Sequence, residues 1–214
     1  RSSAASDVYK RQIQFGAFNP LSRIHHEGDN PVEPWLFGPE AEKNAKEAIE
    51  LKYRLLPYIY TYAREAHDTG LPIMRPLFLE YPADMETFST DGQFLFGQEL
   101  LVAPVVKKGA RTKNVYLPEG TWIDYFSGEK YEGNRILSNF DTPVWKLPVF
   151  VKNGAIIPMT QPNNNVSEID PSLRIYEFYP NRHTATVEYD DDGVTEAYRQ
   201  EKSVSTLIES NVDA

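Results

Sequence analysis

The densest chemistry in this sequence lies between Phe15 and Trp35, in "FGAFNPLSRIHHEGDNPVEPW". His25 and His26 stand together just past Arg23, and Glu27, Asp29 and Glu33 follow before Trp35. An imidazole donates to or accepts from a hydroxyl at neutral pH, and a guanidinium orients a loop or pairs with a carboxylate. An indole face offers a platform for a sugar ring. The competing reading is a solvated loop in which Glu33 and Trp35 merely pack onto the start of the next helix. A second cluster, "YDDDG" at Tyr189–Gly193, invites a cation. Calcium loops space their acids at alternate positions and close on a glutamate. Asp190, Asp191 and Asp192 are contiguous, so a strand would send them to opposite faces, and the glycine then points to a hairpin turn. No metal site is expected, and no cofactor.

Composition narrows the classes. A formal charge of −9 argues against nucleic acid, which needs a basic face. The chain has no cysteine, which excludes thiolate chemistry and disulfides. No apolar run approaches the roughly 18 residues of a membrane span, and the start carries no secretory signal. The 13 tyrosines, 11 phenylalanines and 3 tryptophans suit a sugar-handling or β-rich protein.

The elements that must position the loop read as follows. From Pro39 to His67 apolar residues recur at helical spacing (Ala45, Ala48, Ile49, Leu55, Leu56, Ile59, Ala63 and Ala66), with a kink or break expected at Pro57. Gly70 followed by Pro72 stops the helix. "PIMRPLFLEYP" reads as a short buried strand. After Pro82 the pattern changes to short strands ("QFLFG", "LLVAPVV", "KNVYLP", "TWIDYF", "RILSNF", "VFVK", "AIIPM") separated by glycine turns, as in a β-sandwich or barrel. The polar connector at 161–171 marks a second boundary, beyond which alternating strands resume. Residues 1–12 lack an initiating Met and any apolar periodicity, and read as translated adapter sequence outside the fold. The last residues break off within a strand pattern, so both ends read as those of a fragment.

Seven stretches in order, among them "QFGAFNPLSRIHH", "LKYRLLPYIYTYAREAHDTGLPIMRPLFLEYP", "QFLFGQELLVAPV", "LPVFVKNGAIIP" and "YDDDGVTEAYR", resemble the C-terminal part of a family 31 glycoside hydrolase, of the α-glucosidase and α-xylosidase type. The resemblance implies an α/β tail plus an all-β part: the last part of a (β/α)8 barrel followed by C-terminal β-sandwich domains. On that layout residues 1–12 are a non-native leader and 13–82 the end of the barrel. Residues 83–162 are a proximal sandwich, and 163–214 the start of a distal one. "GAFNPLSRIHH" becomes a late barrel strand end with its loop, and "IMRPLFLEY" the last barrel strand.

The resemblance also implies chemistry that this chain does not complete. Retaining α-glycosidases use two carboxylates, which in this family are aspartates on earlier barrel strands; Asp29 in "EGDNP" matches neither pattern. No catalytic residue is therefore expected here. His25 carries over best, as the histidine of the family's Arg-x-His that contacts the sugar beside the scissile bond. Arg23 is the second substrate-binding candidate, with loop orientation as its structural alternative. His26 has no role to carry over, and Arg75 is expected to be buried and paired. Tyr116, Trp122, Tyr125 and Phe126 read as sandwich-core and cross-strand aromatics. The expected partner is an α-glucoside or α-xyloside oligosaccharide, with a non-catalytic carbohydrate-binding or scaffolding module as the alternative.

Overall fold

The computed structural model describes residues 3–25, 28, 31–179 and 181–212. Three helices come first: α1 (Ser3–Gly16), α2 (Pro39–Arg54) and α3 (Leu56–Thr69). Strands follow as β1 (Met74–Arg75), β2 (Phe94–Phe96), β3 (Leu100–Val102), β4 (Thr112–Leu117), β5 (Thr121–Asp124), β6 (Lys130–Glu132), β7 (Arg135–Asp141), β8 (Val149–Lys152), β9 (Ile156–Met159), β10 (Ile175–Phe178), β11 (His183–Asp190) and β12 (Val204–Asn211). A six-stranded sheet, ordered β1-β2-β3-β8-β5-β6, forms the centre, and every pairing in it is antiparallel.

Why β2, β3 and β8 are so apolar follows from what covers them. Successive residues of a strand point to opposite faces. Phe96, Leu100, Val102, Val149 and Val151 therefore pack with Phe18, Leu55, Tyr58 and Tyr62 on the helical side. Their neighbours Leu95, Leu101 and Phe150 pack with Val115, Leu117 and Trp122 on the other, beneath the β4–β7 ribbon. A sheet buried on both faces has no polar alternation to display. The helices thus rest directly on the sheet that follows them in sequence.

The break near Pro57 is as expected. α2 ends at Arg54, and α3 begins at Leu56 with Pro57 in its first turn, where the missing N–H has no helical partner to lose. Gly70 caps α3 in the left-handed region (φ 80°) and donates its N–H to Ala66 O.

Four local expectations fare differently. Residues 3–12, set aside as lying outside the fold, form most of α1. Tyr9 stacks on Phe37 at 4.1 Å between ring centres, and Arg11 donates to the carbonyls of Lys146 (2.7 Å) and Thr142 (2.6 Å). The apolar periodicity was missing because Lys10 and Gln14 are buried there, paired to Glu40 and Val144 O. Secondly, α1 runs through Phe15 and Gly16, where a strand end was expected. Thirdly, "PIMRPLFLEYP" yields only β1, paired antiparallel with β2, and then a helical turn, α4 (Leu77–Glu80). Pro76 ends the strand by withholding a donor. Lastly, the connector at 161–171 does not separate sheets, because β10 pairs with β9 across it.

Candidate functional site

The Phe15–Trp35 loop is anchored at its start and open at its tip. Ala17 and Phe18 insert into the core between helix and sheet, with Phe18 edge-on to Phe96 at 6.0 Å. Asn19 Nδ2 turns back to Phe15 O at 3.0 Å, and Lys52 Nζ reaches down from α2 to donate to Asn19 O. Burial lowers the pKa of Lys52. A Cβ at Gly16 would stand 2.7 Å from Ser22 Oγ, so a larger residue there would have to turn that hydroxyl aside. With its first residues pinned, the chain leaves the core, and Leu21 to His25 are exposed.

Arg23 and His25 come together on the rim of a surface cavity of ≈ 400 Å³, whose walls include Tyr9, Asn19, Val32 and Lys52. Neither side chain hydrogen-bonds or ion-pairs with any other described residue. The rim therefore presents imidazole nitrogens and a guanidinium, with the Lys52 ammonium below. That donor set suits a ligand rich in hydroxyls. His26, Glu27 and Asp29 lie outside the described residues. Trp35 opens a helical turn at Pro34–Phe37 and is 61% exposed, so it neither packs the loop down nor lines the cavity. Glu33 is half-buried close to Tyr9, where its charge adds to burial in raising the phenol's pKa.

The sequence reading missed Tyr9 and Lys52. Tyr9 was lost with the excluded segment. Lys52 had a signal: it follows Ala48 and Ile49 at helical spacing, so a lysine sits on the apolar face of α2.

The remaining candidates are structural. Asp192 accepts from the N–H groups of Val194 (3.1 Å) and Thr195 (2.9 Å), and Asp191 from Gly193 N (2.8 Å) and Tyr189 Oη (2.7 Å). These bonds shape the long β11–β12 turn. Arg75 is fully buried and paired with Glu65 and Glu80. Trp122 and Tyr116 are core, whereas Phe126 is 43% exposed and meets the 58%-exposed Trp145 edge-on at 6.4 Å.

Residues 2–62 match the glycosyl hydrolases family 31 TIM-barrel domain, and residues 70–157 match the glycosyl hydrolase family 31 C-terminal domain. The chain belongs to glycoside hydrolase family 31. Its helical part is the end of a TIM barrel, and the antiparallel sheets that follow are those of the family's C-terminal domain. The C-terminal match begins at residue 70, so it takes in β1 and α4 with the sheet to which they pair.

Among solved structures, a family 31 dextranase of Flavobacterium johnsoniae, complexed with glucose, superposes with a TM-score of 0.91 at 51% identity over 97% of this chain and 26% of its own. A 1,6-alpha-glucosyltransferase of Sporosarcina globispora is 38% identical over 97% of this chain and 16% of its own length. An alpha-xylosidase of Saccharolobus solfataricus is 35% identical over 94% of this chain and 27% of its own. The chain thus spans about a quarter or less of the curated family 31 relatives named here. Arg23 and His25 fall within the stretch matched to the barrel. No helix among the described residues is long and apolar enough to cross a membrane.

Proposed function

We propose that this chain supplies one wall of the sugar-binding mouth of a retaining glycosidase that hydrolyses terminal α-linked glucosides or related α-glycosides, α-xylosides included. The observation that carries the reading is the cavity after α1, with Arg23 and His25 exposed on its rim inside the barrel-matched stretch. Retention requires a carboxylate nucleophile and a carboxylic acid about 5–5.5 Å apart, forming and then breaking a glycosyl-enzyme bond. The proposal assigns both to aspartates outside this chain. A neutral His25 imidazole nitrogen accepts a hydrogen bond from a hydroxyl of the sugar beside the scissile bond. That bond tightens as positive charge grows on the ring, so it favours the transition state over the ground state. Arg23, exposed on the same rim, donates a second hydrogen bond to a sugar hydroxyl. On this reading α1 to α3 belong to the barrel wall, residues 83–162 to a proximal sandwich, and 163–214 to the start of a distal one.

The test is His25→Ala in the longer enzyme, assayed on α-glucoside and α-xyloside substrates. A hydrogen bond to a group with developing charge contributes about 1.5–3 kcal/mol, so kcat/KM should fall roughly 10- to 150-fold, with kcat falling too. A fall below about threefold would remove His25 from the site. The 214-residue chain alone should show no turnover.

A second reading rests on Phe126 and Trp145, whose exposed edge-to-face rings border a groove of ≈ 340 Å³ shared with Phe18, Asn44 and Glu47. Such a surface fits a non-catalytic carbohydrate-binding module. Retention of the chain on immobilised α-glucan, lost in Trp145→Ala, would favour it; no retention by the unmodified chain would dismiss it.

A further inference from the structure

The turn from β2 to β3 brings Glu99 against α3, and the protons there do not balance for an ionised carboxylate. Tyr58 Oη lies 2.6 Å from Phe96 O and 2.8 Å from Glu99 Oε2, while Tyr62 Oη lies 2.6 Å from the same Oε2. Oxygens this close need a hydrogen between them. There are three such contacts, and the two phenols supply two hydrogens; the Phe96 carbonyl supplies none. Gln98 N–H is spent on Tyr62 Oη at 3.1 Å, with a weaker 3.3 Å approach to Oε2. An ionised Glu99 leaves the single Tyr58 hydrogen to be shared between two acceptors, Phe96 O and Glu99 Oε2. A hydrogen on Glu99 completes the set: Glu99 donates to Tyr58, Tyr58 to Phe96 O, and Tyr62 to Glu99.

The charges around the group point the same way. From α3 it faces Tyr58, Tyr62 and the like-charged Glu65, which line one cleft with it. From β1, Arg75 lies over the Tyr62 ring but is committed to Glu65 and Glu80. From β8, Lys152 gives its backbone N–H to Glu99 O at 2.8 Å, and its ammonium is turned to the Tyr81 ring. The side of the cleft formed by β9, β11 and β12 offers Pro158, Ala185, Thr186, Val187 and Leu207, none of them charged. Glu99 has no ion pair among the described residues. Burial pushes its carboxyl up, and this outweighs the hydrogen bonds that the tyrosines and backbone would give the ionised form. Gly97 permits the approach, since at φ +66° a Cβ there would meet Tyr58 Oη at 2.1 Å.

We infer that Glu99 is a neutral carboxylic acid at neutral pH, and that it latches the barrel helix α3 to the C-terminal sheet until its ionisation loosens that seam. The sign follows from linkage. A carboxyl whose pKa is raised in the folded state costs nothing below its unfolded value, and it destabilises the fold as pH rises through the folded one.

Glu99→Gln tests this, because an amide N–H2 can donate to Tyr58 as the acid does and cannot ionise. The infrared difference between wild type and E99Q at pH 7 should contain the carbonyl stretch of a protonated carboxyl. The midpoint of thermal unfolding should fall from pH 5 to pH 9 more steeply in wild type than in E99Q. Tyr58→Phe is the control should E99Q fail to fold. It removes two of the three contacts and one hydrogen, so the protonated-carboxyl band should weaken or vanish at pH 7. A wild-type spectrum without that band, or a band unchanged by both substitutions, would overturn the inference.

Discussion

The ion triad at Arg75 joins α3, β1 and α4, and its removal should cost more than any surface pair. The guanidinium is 0% exposed; Nε donates to Pro72 O at 2.8 Å, Nη1 to Glu80 at 2.6 Å and Nη2 to Glu65. It also lies 5.1 Å from the centre of the Tyr62 ring. Burial works against its charge, yet the bonds to Glu80 and Glu65 prevail and hold its pKa above the ordinary value. Arg75→Ala would leave two carboxylates facing each other across a cavity. Stripping one partner from a buried pair costs about 3–5 kcal/mol. Glu65 and Glu80 keep 28% and 25% of their side-chain surface exposed, so water can reach them and the lower end applies. The expected loss is about 3 kcal/mol, or roughly 6–12 °C in the thermal midpoint of a domain this size. Arg75→Lys keeps the charge but not the planar fork, and should lose about half as much. Thermal and urea unfolding of the three proteins measure both. A loss below about 1 kcal/mol for the alanine variant would refute the reasoning, because it would make the triad equivalent to exposed pairs.

Gly97→Ala should destabilise by about 2–5 kcal/mol in urea titration, since it adds left-handed strain to a Cβ clash with Tyr58. Trp122→Ala should lose about 3–5 kcal/mol by the same assay, because the indole is fully buried and its Nε1 donates to Pro118 O at 2.9 Å. Ultraviolet titration of the phenols should find several still protonated at pH 11. Burial raises Tyr81 and Tyr131 to about 12, and it raises Tyr58 and Tyr62 further. Phenols raised in the fold leave stability unchanged below pH 10, then remove it as pH climbs towards their folded values, so alkaline unfolding should begin in that range.

Much of this fold was legible because local rules agreed with tertiary packing. The α2–α3 break at Pro57 and the Gly70 cap needed only the geometry of proline and glycine. The strands after Pro82 needed only short apolar runs between turns. What failed did so for identifiable reasons. α1 buries Lys10 and Gln14, whose polar ends find partners in Glu40 and Val144 O, so an apolar stripe was the wrong signature for it. "PIMRPLFLEYP" gives only a two-residue strand because Pro76 cuts it short, and the partner of that strand, β2, lies some twenty residues away in sequence.

The candidate site residues stand out in the sequence in proportion to how little they do within the fold. Arg11 holds the carbonyls of Lys146 and Thr142, Arg54 pairs with Glu177, Arg64 with Asp68, and Arg174 with Glu188. Apart from Arg64, whose partner stands one helical turn on, each arginine is explained by a partner that spacing alone could not have supplied. Arg23 and His25 have no partner among the described residues, and they stand exposed on the rim of one cavity. Unpaired polar groups cost nothing in water, so stability gives no reason for an arginine and a histidine two residues apart in the exposed run Leu21 to His25. Lys52 is the opposite case. Its stem lies on the apolar face of α2 and its ammonium binds Asn19 O, so it serves packing and cavity wall together and the sequence disguised it as a helix residue. On the proposed reading, Arg23 and His25 are the exposed side chains at this cavity that a ligand can claim.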